Sequence, residues 1–155
     1  MKINLVCVGK VKEEYFSEGI NEYSKRLSRF CEFSLIEVSE ENYQKVNESL
    51  IEEIKDIEGA RIDQYLKGKI YCLAIEGKKL SSESFANLIK SHIDMGDGVI
   101  TFVIGGSYGI ADSIKKRAKL ISFSDMTFPH TLFRLMFSEQ LYRAFSIIAG
   151  SNYHK

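Results

Sequence analysis

Three short stretches of this 155-residue chain bring together residue types that do chemistry. The first, Gly105-Gly106-Ser107-Tyr108-Gly109, directly follows the most apolar run of the sequence. Glycine there removes the Cβ and accepts positive φ, so the backbone can come close to a ligand. The spacing is G-G-x-x-G rather than the dinucleotide fingerprint, and a tight turn without a ligand is the plain alternative. The second, Ser124-Asp125-Met126-Thr127-Phe128-Pro129-His130, holds the only proline, where the missing N–H suits the start of a helix. Two irregular segments at adjacent strand ends can line one pocket. The third is the end, Gly150-Ser151-Asn152-Tyr153-His154-Lys155. Its ring can stack on a base, its imidazole can exchange a proton near neutral pH and its cation can meet a phosphate, although fraying is the ordinary fate of such ends.

Other candidates read as structural. His92 falls on the apolar side of its helix beside Ile89 and Ile93, as packing. Cys7, Cys31 and Cys72 stand far apart with no C-x-x-C spacing, and with three scattered histidines neither a disulfide framework nor a metal site is expected.

The elements that must position these stretches alternate strand and helix five times. Apolar runs at 3–8, 33–38, 69–75, 99–104 and 120–123 read as strands, several covered on both faces. Between them, Phe16, Ile20, Tyr23, Leu27 and Phe30 mark one helix, Val46, Leu50, Ile54 and Ile57 a second reaching to about Leu66, and Phe85, Leu88, Ile89 and Ile93 a third that Ser81-Ser82 can cap. A short helix through Ile114 and Ala118 precedes the last strand. The pattern predicts one α/β domain over residues 1–155 with a mainly parallel sheet of five to six strands, and ligands then gather beyond the strands' carboxyl ends. The final helix, about 129–149, is apolar on nearly every azimuth, with a narrow stripe of Glu139, Arg143 and Ser146. One side can pack on the sheet and the other on a second copy, so a homodimer is expected.

Composition narrows the classes further. Hydrophobic residues make up 45% and charged residues 27%, the mixture of a folded globular chain. No run spans a bilayer and the apolar start is too short for a signal peptide, which predicts a cytoplasmic protein with no membrane partner. The net charge is zero, but residues 1–100 carry 14 Lys+Arg against 18 Asp+Glu and residues 101–155 carry 7 against 3. The C-terminal third is the basic part, and chance scatter of solvated side chains is the plain account of it.

In this order the segments resemble the SPOUT, or α/β-knot, methyltransferases, specifically the small RlmH type that methylates a pseudouridine of large-subunit ribosomal RNA. The motifs are Lys2-Ile3-Asn4-Leu5-Val6-Cys7-Val8-Gly9-Lys10, Leu73-Ala74-Ile75-Glu76-Gly77-Lys78, the glycine loop with its strand, Met126-Thr127-Phe128-Pro129-His130, Glu139-Gln140-Leu141-Tyr142-Arg143-Ala144-Phe145 and Tyr153-His154-Lys155. The resemblance implies a C-terminal deep trefoil knot, a homodimer, and S-adenosylmethionine as the cofactor. The implied cofactor site is Leu73, Gly105, Gly106, Ser124, Asp125, Met126, Thr127, Phe128 and Pro129. With a pseudouridine N3 of 23S rRNA on the ribosome as acceptor, His154, Glu139 and Arg143 are the catalytic candidates. Arg134, Arg143, Tyr153, His154 and Lys155 are the RNA-binding ones. Gly105 and Gly106 are expected to lie too close to the ligand to tolerate a side chain. A nucleotide-binding oxidoreductase using Asp125 as its ribose acid and a non-catalytic ribosome-binding dimer are the alternatives.

Overall fold

The computed structural model describes residues 1–154, so the expected role of Lys155 lies outside the described residues. Its elements are β1 (Lys2–Val8), α1 (Glu14–Leu27), β2 (Glu32–Val38), α2 (Glu48–Asp63), β3 (Lys69–Lys79), α3 (Ser82–Asp94), β4 (Val99–Ile104), α4 (Asp112–Lys115), β5 (Lys119–Ser122) and α5 (His130–Ile148). The sheet has five strands in the order β2-β1-β4-β3-β5, and every pair is parallel.

Both faces of the central strands are apolar because both are covered. Ile3, Leu5 and Cys7 of β1, Tyr71 and Leu73 of β3, and Phe102 and Ile104 of β4 share one core with Phe85, Phe137, Leu141 and Phe145. The alternate residues Val6, Val8, Cys72 and Val103 pack on the other side with Ile62, Ile110 and Ile114. Helix α5 lies against α1 and α3, and α2 against α4. Each Leu, Ile or Phe side chain so buried contributes about 1.5–3 kcal/mol relative to exposure. Asn47 caps α2 by accepting the Leu50 N–H at 2.9 Å, and Ser81 caps α3 by accepting the Ser84 N–H at 3.1 Å.

Some boundaries and roles differ from the sequence reading. The third strand does not stop at Ile75. Leu73 and Lys78 both pair with Ile121, so residues 74–77 leave the ladder and the strand resumes beside β5. A Cβ on Gly77 would fall 2.5 Å from the Ile121 nitrogen, which only glycine avoids. Ser146 does not belong to a solvent stripe on α5: it is buried, as are Arg134 and Ser138. His92 is the core residue expected, with Nδ1 2.6 Å from Asp97 Oδ2 and Nε2 2.7 Å from the Tyr71 hydroxyl. The cysteine thiols are buried and free, and desolvation raises Cys7 and Cys31 to about 12 and Cys72 to about 11. Among the described residues no helix is long and apolar enough to cross a membrane.

Candidate functional site

A cavity of about 300 Å³ opens where the chain leaves β3, β4 and β5. Within β3 Leu73 and the bulge residues Ala74, Ile75 and Glu76 contribute; the loop after β4 supplies Gly105, Gly106, Ser107 and Gly109; the segment after β5 supplies Phe123, Ser124, Met126, Thr127 and Phe128. His130 and Phe133 of α5 and Lys115 of α4 complete the wall. Ser124 fixes its segment by accepting the Met126 N–H on Oγ at 3.0 Å, while its carbonyl accepts from the Ser122 hydroxyl at 2.9 Å. At the rim Lys115 and Glu76 form an ion pair of 2.5 Å, and this contact holds the Glu76 carboxyl below the usual carboxylate range.

The glycine loop is a closed turn. The Gly109 N–H donates to the Gly106 carbonyl at 3.1 Å, and Gly109 has φ +91°, a conformation that favours glycine. A Cβ on Gly105 would lie 2.6 Å from the Gly109 carbonyl carbon, and one on Gly106 would lie 2.8 Å from Glu58 Oε2 and 3.0 Å from Val8 Cγ1. The protein's own packing thus already crowds a side chain at both glycines, before any ligand is considered. Asp125 and Pro129 do not line the cavity: Asp125 is exposed and ion-paired with Lys79, and Pro129 starts α5, its carbonyl accepting the Phe133 N–H at 2.9 Å.

Arg134 is not available to RNA. Its side chain is fully buried and donates to the Val8 carbonyl at 2.5 Å, the Gly9 carbonyl at 3.1 Å and Glu37 Oε1 at 2.9 Å. It ties the end of β1 to the first turns of α5.

The other candidates gather in a second cluster. The chain turns at Gly150 and lays Tyr153 and His154 back against α5. Glu139 Oε1 accepts from Arg143 Nε at 3.0 Å, from its second terminal nitrogen at 2.5 Å and from the Tyr153 hydroxyl at 3.2 Å, and Oε2 accepts from Gln140 at 2.7 Å. The Arg143 guanidinium stands 4.8 Å from the Tyr153 ring centroid. Burial and the Tyr23 hydroxyl, 3.3 Å away, push the Tyr153 phenol up. His154 Nε2 lies 2.8 Å from Glu83 Oε1 and Nδ1 lies 3.3 Å from Arg143. Arginine only donates, so Nδ1 is the acceptor and Nε2 carries the hydrogen toward Glu83. Glu83, at the start of α3, is held down to about 2 by its own backbone N–H, with His154 and Ser81 adding to it.

None of the described tail residues lines the cavity. Glu139 sits about 9 Å further along the helix axis than Phe133, taking ~1.5 Å per residue. One chain thus carries two separate constellations. Sequence reasoning missed Lys115 and Phe133, and left Ala74, Ile75, Glu76 and His130, all within stretches it singled out, off the expected cofactor site; Gly77 was the available signal for the bulge that presents the first three of these.

Comparison with known proteins agrees over the whole length. Residues 1–154 match the sequence profile of the family described as predicted SPOUT methyltransferase. The chain is 48% identical over 159 aligned residues to the ribosomal RNA large subunit methyltransferase H of Lactobacillus johnsonii and 50% identical to that of Lactobacillus acidophilus, with 100% of each chain covered. In fold it is similar to a probable methylase family protein from Haemophilus influenzae Rd KW20, with a TM-score of 0.56 at 13% identity, covering 99% of this chain and 70% of that one.

Proposed function

The chain belongs to the SPOUT methyltransferase family, and from that premise we propose that it transfers a methyl group from S-adenosylmethionine to 23S rRNA of the large ribosomal subunit. The acceptor in this reading is N3 of a pseudouridine in the helix 69 region, reached on the assembled ribosome in the cytoplasm. The observation that carries it is the cavity at the carboxyl ends of β3, β4 and β5, where ligands of open α/β sheets bind.

The residues present fit the cofactor. Leu73, Ile104, Ile110 and Phe128 give apolar walls for a flat base, and Ser107, Ser124 and Thr127 offer hydroxyls for a ribose and an amino acid. A volume near 300 Å³ is at the lower end of small-molecule sites. When bound, the cofactor supplies an electrophilic methyl on a sulfonium. Every other task falls to the chain's residues: to hold the acceptor in line and keep water out. The backbone of β5 packed on Gly77 between Leu73 and Lys78 supports a knotted C-terminal part, the deep trefoil expected of this family.

The N3 proton must leave before or during attack. Arg143 bridges Glu139 and His154. An anion developing at N3 competes for that guanidinium, and His154 Nδ1, released from it, takes the proton. Tyr153, held by Arg143 and Tyr142, offers its ring for stacking. Because the tail cluster and the cavity are separate within one chain, we read a homodimer packed along α5, in which one copy's tail meets its partner's cavity. Leu132 and Met136, partly exposed on the first turns of α5, support that arrangement.

The oxidoreductase alternative loses its ribose acid, since Asp125 faces Lys79 outside the cavity. Thermal unfolding separates the readings. S-adenosylhomocysteine at a hundred times its Kd is expected to stabilise the protein by about 2.7 kcal/mol, and NAD to leave the midpoint unmoved. A shift with NAD and none with either adenosyl ligand would overturn the cofactor assignment.

A further inference from the structure

Glu58 is a buried acid that neither the cavity nor the tail chemistry uses. It sits in α2, 2% exposed. Its Oε1 accepts the Glu41 N–H at 3.0 Å, while Oε2 has no hydrogen-bond partner among the described residues. That oxygen faces the glycine loop: it is the nearest atom, at 2.8 Å, to where a Cβ of Gly106 would stand. Gly106 in turn lines the cavity. The carboxyl therefore spans the segment after β2 and the wall of the ligand site.

The charges around it favour a neutral acid. Glu40, which accepts from the Ser107 hydroxyl at 3.3 Å, and Glu41 stand nearby on the segment after β2, and Arg61 on α2 is spent on Glu41 at 2.5 Å and on the Ser39 carbonyl at 2.9 Å. From the loop the neighbour is Gly106, whose Cβ position the Val8 side chain of β1 also approaches. A buried carboxylate with one unpaired oxygen beside two further carboxylates is unfavourable, whereas protonation removes the buried charge. Burial, with Glu40 and Glu41 adding and the Glu41 N–H and Arg61 opposing, raises the Glu58 carboxyl above the usual range.

We propose that Glu58 is a positioning residue that braces Gly106 and keeps the cavity wall in its ligand-ready arrangement. The inference rests on the adenosyl-cofactor reading above. Ionisation of Glu58 makes its present packing unfavourable, so affinity for the ligand falls as pH rises.

The test is titration calorimetry of S-adenosylhomocysteine binding from about pH 6 to about pH 8.5 on the full-length protein and Glu58→Gln. Glutamine keeps the acceptor and replaces the O–H by a permanent N–H donor, and the ligand's own amine titrates alike with both proteins. The two are expected to bind equally at the low end, with the wild type weaker by roughly tenfold relative to Glu58→Gln at the high end, the equivalent of one unit of pKa coupling. A ratio of affinities that stays constant across this range overturns the proposal. Should Glu58→Gln fail to fold, Gly106→Ala gives the second reading, because its methyl presses on Oε2: a lowered ligand-free unfolding midpoint together with weakened binding at a temperature where the variant is still fully folded is expected, and wild-type affinity there overturns the brace. Absence of adenosylhomocysteine binding by the wild type at every pH would overturn the cofactor reading together with this one.

Discussion

Two arginines on one helix have opposite fates. Arg134 is fully buried and satisfies the last carbonyls of β1 together with Glu37, whereas Arg143 stays at the surface with Glu139 one turn before it. Replacing Arg134 by methionine strands those carbonyls and leaves Glu37 without its cation, so urea unfolding is expected to show a loss of about 3–5 kcal/mol. Arg143→Gln removes a surface i,i+4 pair worth roughly 0.3–0.5 kcal/mol and is expected to leave stability nearly unchanged while impairing methylation. Equal costs for the two would contradict the separation of structural from chemical arginine. The sequence could not make that separation. Both follow apolar neighbours on the same helix, and the partners that bury Arg134 lie 97 and 126 residues away. Glu139 and Arg143, four apart, were legible as a pair; the saturation of Glu139 by Tyr153 and Gln140 was not.

At the level of elements, the bulge in β3 decides the shape of the cavity. Ile121 pairs with Leu73 before the bulge and Lys78 after it, and Gly77 gives β5 room to pass. Gly77→Ala is expected to push β5 outward, costing about 1–3 kcal/mol or more as overpacking does, and to weaken adenosylhomocysteine binding because Phe123 and Ser124 follow directly. Wild-type stability and affinity in that variant would contradict this role of Gly77. Strand and helix order was readable because buried strands are unbroken apolar runs and the helices repeat at 3.6 residues. The bulge was not, since a strand that leaves and rejoins its partner keeps the same local composition. The same limit hid Ala74, Ile75 and Glu76, whose place in the wall is fixed by the pairing of β5 and not by any property of their own.

For the whole molecule, the proposed homodimer makes one chain half of the working unit, because the cavity and the tail cluster are separate within it. Sedimentation is expected to show a dimer at micromolar concentration, and Met136→Asp, which puts an unpaired charge into the α5 contact, is expected to give folded monomers that bind cofactor but do not methylate. A wild-type monomer with full activity would remove the need for a second copy. The all-round apolar last helix is the sequence signal for this reading; the structure adds that none of the described tail residues lines the cavity. The central claim, methyl transfer to large-subunit RNA, is tested most directly with S-adenosylmethionine labelled in its methyl group and ribosomes lacking this modification. The account predicts label in 23S rRNA, on N3 of a pseudouridine, with wild-type protein, and severe loss with protein lacking residues 153–155 that still folds and binds cofactor. No label in 23S rRNA from a folded, cofactor-binding wild type would contradict it.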